Sequence, residues 1–293
     1  MNENNSKKPD EILRFLFDNH GVRGEIVSLN QACQDLMHED YAPAVKSMMM
    51  ELAAASLLFS ATLKDGSEVM LQLQGGKQSP LKYALINVRD DLSFYGSAKL
   101  KEGMTIAKEA SFKDLVGADG ILVLSVFPVN GEKWQGIVAT EGDNVSSALE
   151  SYFKNSQQLP SKFFIHSDVK TMQCTGMMLQ IIPEIEGNLD SLEHLAILTS
   201  TLSATEAFEL DNKEILGRLF AHEETRVFPE HQVSFRCICS LERCLKALAS
   251  LKRAELKEIA DDPNGTSMTC QHCGHSYHFT HEQLQELYFQ VNQ

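Results

Sequence analysis

The stretch GILVLSVFPVNGEKWQGIVAT, residues 120–140, holds two apolar runs separated by Asn130-Gly131. Asn-Gly supplies the positive backbone angles of a tight turn, so the two runs read as an antiparallel hairpin. The same pattern recurs outward along the chain. KYALINV (82–88) and FYGSAKL (94–100) precede it as further strand candidates, and SKFFIHS (161–167) and GMMLQIIP (176–183) follow it. GVRGEIVSL (21–29) alternates like a strand, and Glu11–Phe17 before it reads as an entry helix or strand. Asp65-Gly66, between SATLK (60–64) and SEVMLQLQ (67–74), predicts another hairpin, and Gly75-Gly76 closes its second strand. Repeated hairpins imply a largely antiparallel sheet.

Two helices complete this first unit. Pro43 opens an Ala-, Met- and Leu-rich segment in which Met48–Phe59 is the longest apolar run. It is too short to span a bilayer and carries Glu51, so a buried core helix is expected. Asn144–Phe153 places Val145, Ala148, Leu149, Tyr152 and Phe153 along one helical face. Pro183 stops the last strand, and the first domain is drawn as 1–183, a mixed α/β core.

The composition then shifts. Between Ile181 and Glu230 there are eleven Asp or Glu against three Lys or Arg. Apolar residues still recur at helical spacing: Leu192, Leu195, Ala196 and Ile197, then Ile215, Leu216, Leu219 and Phe220. Residues 184–230 therefore read as an acidic, amphipathic helical linker whose stripe rests on the first domain. Residues 231–293 form a third, small unit. Leu241–Ile259 reads as a helix burying Leu241, Leu245, Leu248 and Leu256. Residues 261–265 (DDPNG) form a turn, and Thr280-x-x-Gln283 is a capping box opening a final helix. The fold class expected is α+β.

The third unit carries the chemistry. FRCICS (235–240) sets Cys237 and Cys239 two apart, CQHC (270–273) sets Cys270 and Cys273 three apart, and thirty residues separate the pairs. Two close thiol pairs flanking a helix suit one tetrahedral zinc, and Gly274 permits a tight knuckle. His272, His275 and His278 crowd the second pair, but four thiolates already complete a site. Cys244 reads as a free thiol, and Cys33 and Cys174 as small core residues. A C-x-C pair can also close into a strained disulfide, and oxidation of either pair removes two ligands together. A sixty-residue unit that loses its metal is marginal, so oxidation should unfold it.

These residues resemble the 33-kDa heat-shock family of redox-regulated chaperones over nearly the whole chain. The resemblance is carried by the F-x-C-x-C-S-x-x-R run from Phe235 to Arg243 and the following C-x-x-C. In the first domain it is carried by VRGEIVSL (22–29), LQLQGG (71–76), ALINV (84–88), LVGADGILVLSV (115–126), WQGIVATEGD (134–143), ALESYF (148–153) and SQQLPSKFFI (156–165). GMMLQIIP and RLFAHEE (218–224) also fit, and Trp134 stands where a Tyr is expected. The resemblance implies one zinc per reduced chain on Cys237, Cys239, Cys270 and Cys273, with the protein then inactive. It implies oxidation to Cys237–Cys239 and Cys270–Cys273 disulfides, zinc release, and unfolding of the zinc unit and linker. It further implies homodimers when activated, ATP-independent holding of unfolding or oxidatively damaged client proteins, and later transfer to ATP-dependent foldases.

Other classes fit less well. The net charge of −14 and the absence of a basic stripe argue against nucleic acid. Four thiolates leave no open position for a zinc hydrolase, and the C-x-x-C is followed by a short strand near the C-terminus, which fits a thioredoxin-like strand–helix unit poorly. No enzyme, nucleic-acid or membrane role is expected. The polar first residues and paired thiols suggest the cytoplasm. The client-binding surface is not marked by any motif.

Overall fold

The computed structural model describes residues 8–63, 66–140, 142–183 and 185–291. Backbone contacts divide it into two compact units, Met1–Arg236 and Cys237–Gln293.

The first unit is built on two sheets and one central helix. In chain order its elements begin with β1 (Glu11–Phe17), β2 (Val22–Leu29), α1 (Gln31–Leu36) and α2 (Pro43–Ser60). Next come β3 (Glu68–Gln74), β4 (Leu81–Val88), β5 (Ser93–Leu100), α3 (Phe112–Val116), β6 (Ile121–Phe127) and β7 (Trp134–Ala139). After α4 (Val145–Tyr152) a π-helical turn spans Phe153–Gln157, and β8 (Ser161–Asp168) and β9 (Gln173–Ile181) follow. Sheet one has the order β10-β1-β2-β9-β8, its edge strand β10 being Thr225–Val227. Sheet two has the order β12-β5-β4-β3-β6-β7, with β12 at Ser234–Phe235. The pairings are antiparallel except β12 on β5. Glu11–Phe17 is thus a strand, and the Asn130-Gly131 segment joins two paired strands as expected, but through a longer loop, residues 128–133, in which Gly131 and not Asn130 takes a positive φ, instead of a tight turn.

Helix α2 lies between the sheets, and its apolar residues are why. Met48, Met49, Met50, Leu52, Leu57 and Leu58 are all essentially buried, so the helix is apolar around most of its circumference, the Ser47–Glu51 side excepted, and needs neighbours on both sides. Val27 and Met178 from sheet one and Leu71 and Ile86 from sheet two join it in one core. The run Met48–Phe59 is therefore a core helix, and among the described residues no helix is long and apolar enough to cross a membrane.

The Asp65-Gly66 hairpin is not formed. α2 runs on through Ser60, and Thr62 Oγ1 donates back to the Phe59 carbonyl at 2.8 Å, so the upstream residues are helix end, not strand. Gly66, at φ +85°, turns a helix into β3, whose partners are β4 and β6; Asp65 lies outside the described residues.

The acidic segment packs as three helices, α5 (Asn188–Thr199), α6 (Ala204–Glu209) and α7 (Asn212–Leu219), on the outer face of sheet one. Leu192, Leu195, Ile215, Leu216 and Phe220 bury against Leu13, Phe15, Ile26 and Leu179. Ile197 does not join them and stands 67% exposed, since it falls on the far side of α5 from Leu195. Capping boxes at Ser203/Glu206 and Asp211/Glu214 start α6 and α7. Polar contacts fix the docking. Glu223 accepts from or pairs with His20 at 2.6 Å and His194 at 2.8 Å, and Thr175 donates to the Ala207 carbonyl at 2.7 Å. Strands β10, β11 (His231–Gln232) and β12 then pair with β1 and β5, which carries the first unit to Arg236.

Candidate metal centre

The second unit contains α8 (Leu241–Ala249), α9 (Arg253–Asp261), the hairpin β13 (Thr266–Thr269) and β14 (Ser276–Phe279), and α10 (His281–Val291). The single helix expected over 241–259 is two. Ser250 ends α8, with its hydroxyl on the Ala247 carbonyl at 2.7 Å, and Lys252 with Glu255 opens α9. Leu248 and Leu256 are buried and Leu245 is half-buried. Leu241, the first residue after the Ser240 cap, is 44% exposed and not core. The Thr280/Gln283 capping box forms, with bonds of 3.0 and 3.4 Å. Five buried side chains, Leu248, Leu256, Ala260, Phe279 and Leu284, make up the unit's core.

Two local turns present the four cysteines. Cys237 and Cys239 lie just before Ser240, whose hydroxyl accepts from the Arg243 amide at 3.2 Å and anchors the start of α8. Cys270 and Cys273 sit in the turn of the β13–β14 hairpin. The Cys270 amide donates to the His275 carbonyl and the Gly274 amide to the Cys270 carbonyl, each at 2.9 Å. Gly274 adopts φ +69°, a conformation costly for residues with a Cβ, so the knuckle needs glycine there. The Sγ atoms of Cys237 and Cys270 stand 3.6 Å apart, those of Cys239 and Cys273 3.4 Å, and all four lie within 4.8 Å of one another. Thiolates about 2.3 Å from a tetrahedral zinc lie about 3.8 Å from each other. The cluster thus has the donor type and span to coordinate a metal ion.

Surrounding donors favour negative sulfur. The Tyr277 hydroxyl donates to Cys239 Sγ at 3.3 Å and the His272 amide to Cys270 Sγ at 3.4 Å. Burial pushes the Cys237 and Cys273 thiols up. Burial also pushes at Cys239, but hydrogen bonds from Tyr277 and the neighbouring thiols outweigh it and bring that thiol below its usual range. Tyr277 in turn is pushed up to about 12 by its bond to Cys239. Tyr277 was not legible as part of the site; the sign available was its place on the strand leaving the knuckle, opposite Met268.

The remaining candidates fall outside the cluster. His278 Nδ1 lies 2.6 Å from Ser267 Oγ, and the His275 ring packs edge-on to Tyr277. Cys244 is a half-buried thiol on α8, packed against the small core. Cys33 and Cys174 are buried in the main core, and burial pushes both thiols far up; Cys174 lies 3.5 Å from the Met50 carbonyl.

Fold and site together define a sheet-based α/β protein with a four-thiol, metal-capable centre on a small appended unit. Residues 10–280 match the family model described as Hsp33 protein. The chain is 39% identical over 273 residues, 92% of each chain, to the 33 kDa chaperonin of Yersinia pestis (strain Pestoides F), and equally to that of Yersinia pseudotuberculosis serotype O:1b (strain IP 31758). The crystal structure of the 33 kDa chaperonin (heat shock protein 33 homolog) from Thermotoga maritima matches with a TM-score of 0.81. It covers 97% of this chain and 100% of its own at 20% identity, which shows a shared fold. The chain belongs to the Hsp33 family, whose members are chaperones and not enzymes. Family membership and the four-thiol cluster together support a redox-regulated chaperone.

Proposed function

We propose that this chain is an ATP-independent holding chaperone of the cytoplasm, kept inactive by one zinc ion on Cys237, Cys239, Cys270 and Cys273. The observation that carries this reading is the convergence of four sulfurs within 4.8 Å in a unit with a small core. Bound metal would supply cross-linking of the two turns, and structural zinc in small peptides is worth about 10–16 kcal/mol of apparent binding. The core of this unit alone is too small to replace that.

Oxidation acts on the same sulfurs. Two thiolates give two electrons to one peroxide, a sulfur–sulfur bond forms, the peroxide O–O bond breaks, and its oxygens leave as hydroxide. The pairs that close are Cys237–Cys239 and Cys270–Cys273. This pairing rests on the family resemblance, because the shortest separations in the assembled cluster run between the turns. With the metal's ligands gone the second unit unfolds, and the docking of the acidic helices α5–α7 is lost with it. Apolar surface then exposed binds unfolding or oxidatively damaged proteins, the chain dimerises, and clients pass to ATP-dependent foldases after reduction.

Light scattering of a heat-unfolded client tests this directly. Protein treated with peroxide and mild heat should suppress aggregation without nucleotide, and the reduced, zinc-loaded protein should not. Equal suppression by both forms contradicts the proposal, and insulin reduction without suppression would favour a thiol–disulfide oxidoreductase.

A further inference from the structure

The face of sheet one toward α2 carries polar groups that the core does not absorb. Beyond the end of α2, at Ala61, Thr62 and Leu63, this face opens into a cavity of about 710 Å³. Arg14, Arg23, Glu25 and Gln180 line it. Register puts them together: Arg14 lies opposite Glu25 across β1–β2, Arg23 opposite Gln180 across β2–β9, and residues two apart share a face. An adjoining cavity of about 400 Å³ shares Arg23, Thr62, Leu63, Leu159 and Gln180, and Phe59, Trp134, Tyr152 and Phe153 wall it. Both volumes suit a small organic molecule.

The polar groups are arranged and incompletely satisfied. Arg23 is held on Gln180 Oε1, 3.2 Å from Nε and 2.5 Å from Nη2, and Gln180 donates to Ser161 Oγ at 2.9 Å. Arg14 is exposed at the mouth. Glu25 is 2% exposed, and its Oε2 lacks a hydrogen-bond partner among the described residues. We propose that the two cavities form one site for an organic carboxylate, with Arg14 and Arg23 taking the carboxylate and the aromatic compartment taking its apolar body. Burial pushes the Glu25 carboxyl up to about 7, against the opposing pull of Arg23 and Arg14. While Glu25 keeps its proton the site holds two guanidinium charges and no counter-charge. Once ionised, Glu25 takes the ligand's place as counter-ion. The charged groups facing it among the described lining residues are Arg14 from β1 and Arg23 from β2; the end of α2, β9 and Leu159 contribute uncharged groups. A free aromatic or fatty acid and the C-terminus of a polypeptide share this chemistry. The site lies wholly in the first unit and does not depend on the zinc reading.

The test is titration of the reduced, full-length, ¹⁵N-labelled protein at pH 6 and pH 8, read by amide shifts. The probes are N-acetyl-L-phenylalanine, its amide, and a hexapeptide ending in Phe with a free or amidated C-terminus. Saturable binding of the acid but not the amide is expected, with shifts along β1, β2 and β9. Affinity should fall about tenfold from pH 6 to pH 8 as Glu25 ionises. E25Q should bind at both pH values alike, and R14A should bind roughly tenfold more weakly at pH 6. Binding of the free-ended peptide as well identifies polypeptide C-termini as the source, and binding of the small acid alone identifies a metabolite-sized one. No saturable binding of either acid, equal binding of the amides, or an unchanged pH dependence in E25Q overturns the proposal.

Discussion

At the scale of single residues, the four cysteines are distinguished by position and not by type. Cys270→Ser should lower zinc content well below one per chain and disturb the second unit, whereas Cys244→Ser should leave metal and switch intact; atomic absorption on both variants decides it. Loss of metal from Cys244→Ser would overturn the ligand assignment. Tyr277→Phe removes a donor to Cys239 while keeping the ring, and such outer contacts are worth roughly ten- to a hundredfold in metal affinity. A chelator competition should show zinc held about tenfold more weakly. Glu25 supplies a prediction of the opposite sign. Burial pushes its carboxyl up to about 7 in the folded chain, above the ordinary glutamate range, so the unfolded chain releases the proton first and stability falls as pH rises toward 7. Glu25→Gln should raise stability by about 3 kcal/mol at pH 8 and leave it unchanged near pH 4, as read by urea unfolding. A destabilised variant at pH 8 would contradict this. The thiol cluster was legible because spacing alone announces it. Tyr277 and Glu25 were not, since their roles arise from strand register.

At the scale of elements, the docking of α5–α7 on sheet one is the contact most exposed to regulation. Its apolar side is substantial, with Leu195 and Ile215 fully buried, yet the segment carries eleven acidic residues within 181–230. Glu223 shows how one such charge is used: the hydrogen bond from His194, then that from His20, holds its carboxyl below the usual range and ties the segment to the β1–β2 turn. Leu195→Ala should cost about 2–5 kcal/mol in the first unit. Hydrogen exchange across α5–α7 should accelerate with the second unit's protection unchanged. Slow exchange in that variant would show that the stripe does not set the docking. Periodicity located these helices and most of their buried side chains. It placed Ile197 wrongly because a run of apolar residues widens the stripe beyond the face that meets the sheet. Turn chemistry failed once, at Asp65-Gly66, where the glycine was real but the residues before it continued α2. Over 241–259 the pattern gave no glycine or proline at the break, and Ser250 with Lys252–Glu255 supplied it instead.

For the whole molecule, the proposed switch joins a fold stable in itself to a unit whose order depends on metal. The two-sheet core around α2 needs no ligand to be buried, and nothing in the oxidation chemistry touches it: Cys33 and Cys174 are enclosed and their thiols held protonated by burial. The second unit has only a small core of five buried side chains beside its four sulfurs. Oxidation should therefore melt residues 237–291 and release α5–α7 while strands β1–β9 of the first unit persist. The sheet-based fold was readable from hairpin signals and α2's apolar run. The short strands β10–β12 were not readable, because two- and three-residue pairings leave no periodic trace. The metal-gated switch is tested by counting bound zinc and free thiols on one preparation, before and after peroxide with mild heat. The reduced protein should carry about one zinc per chain, and four thiols and the zinc should be lost together as aggregation suppression appears. Reduced protein that is metal-free yet fully folded, or zinc retained in full after oxidation, would contradict it.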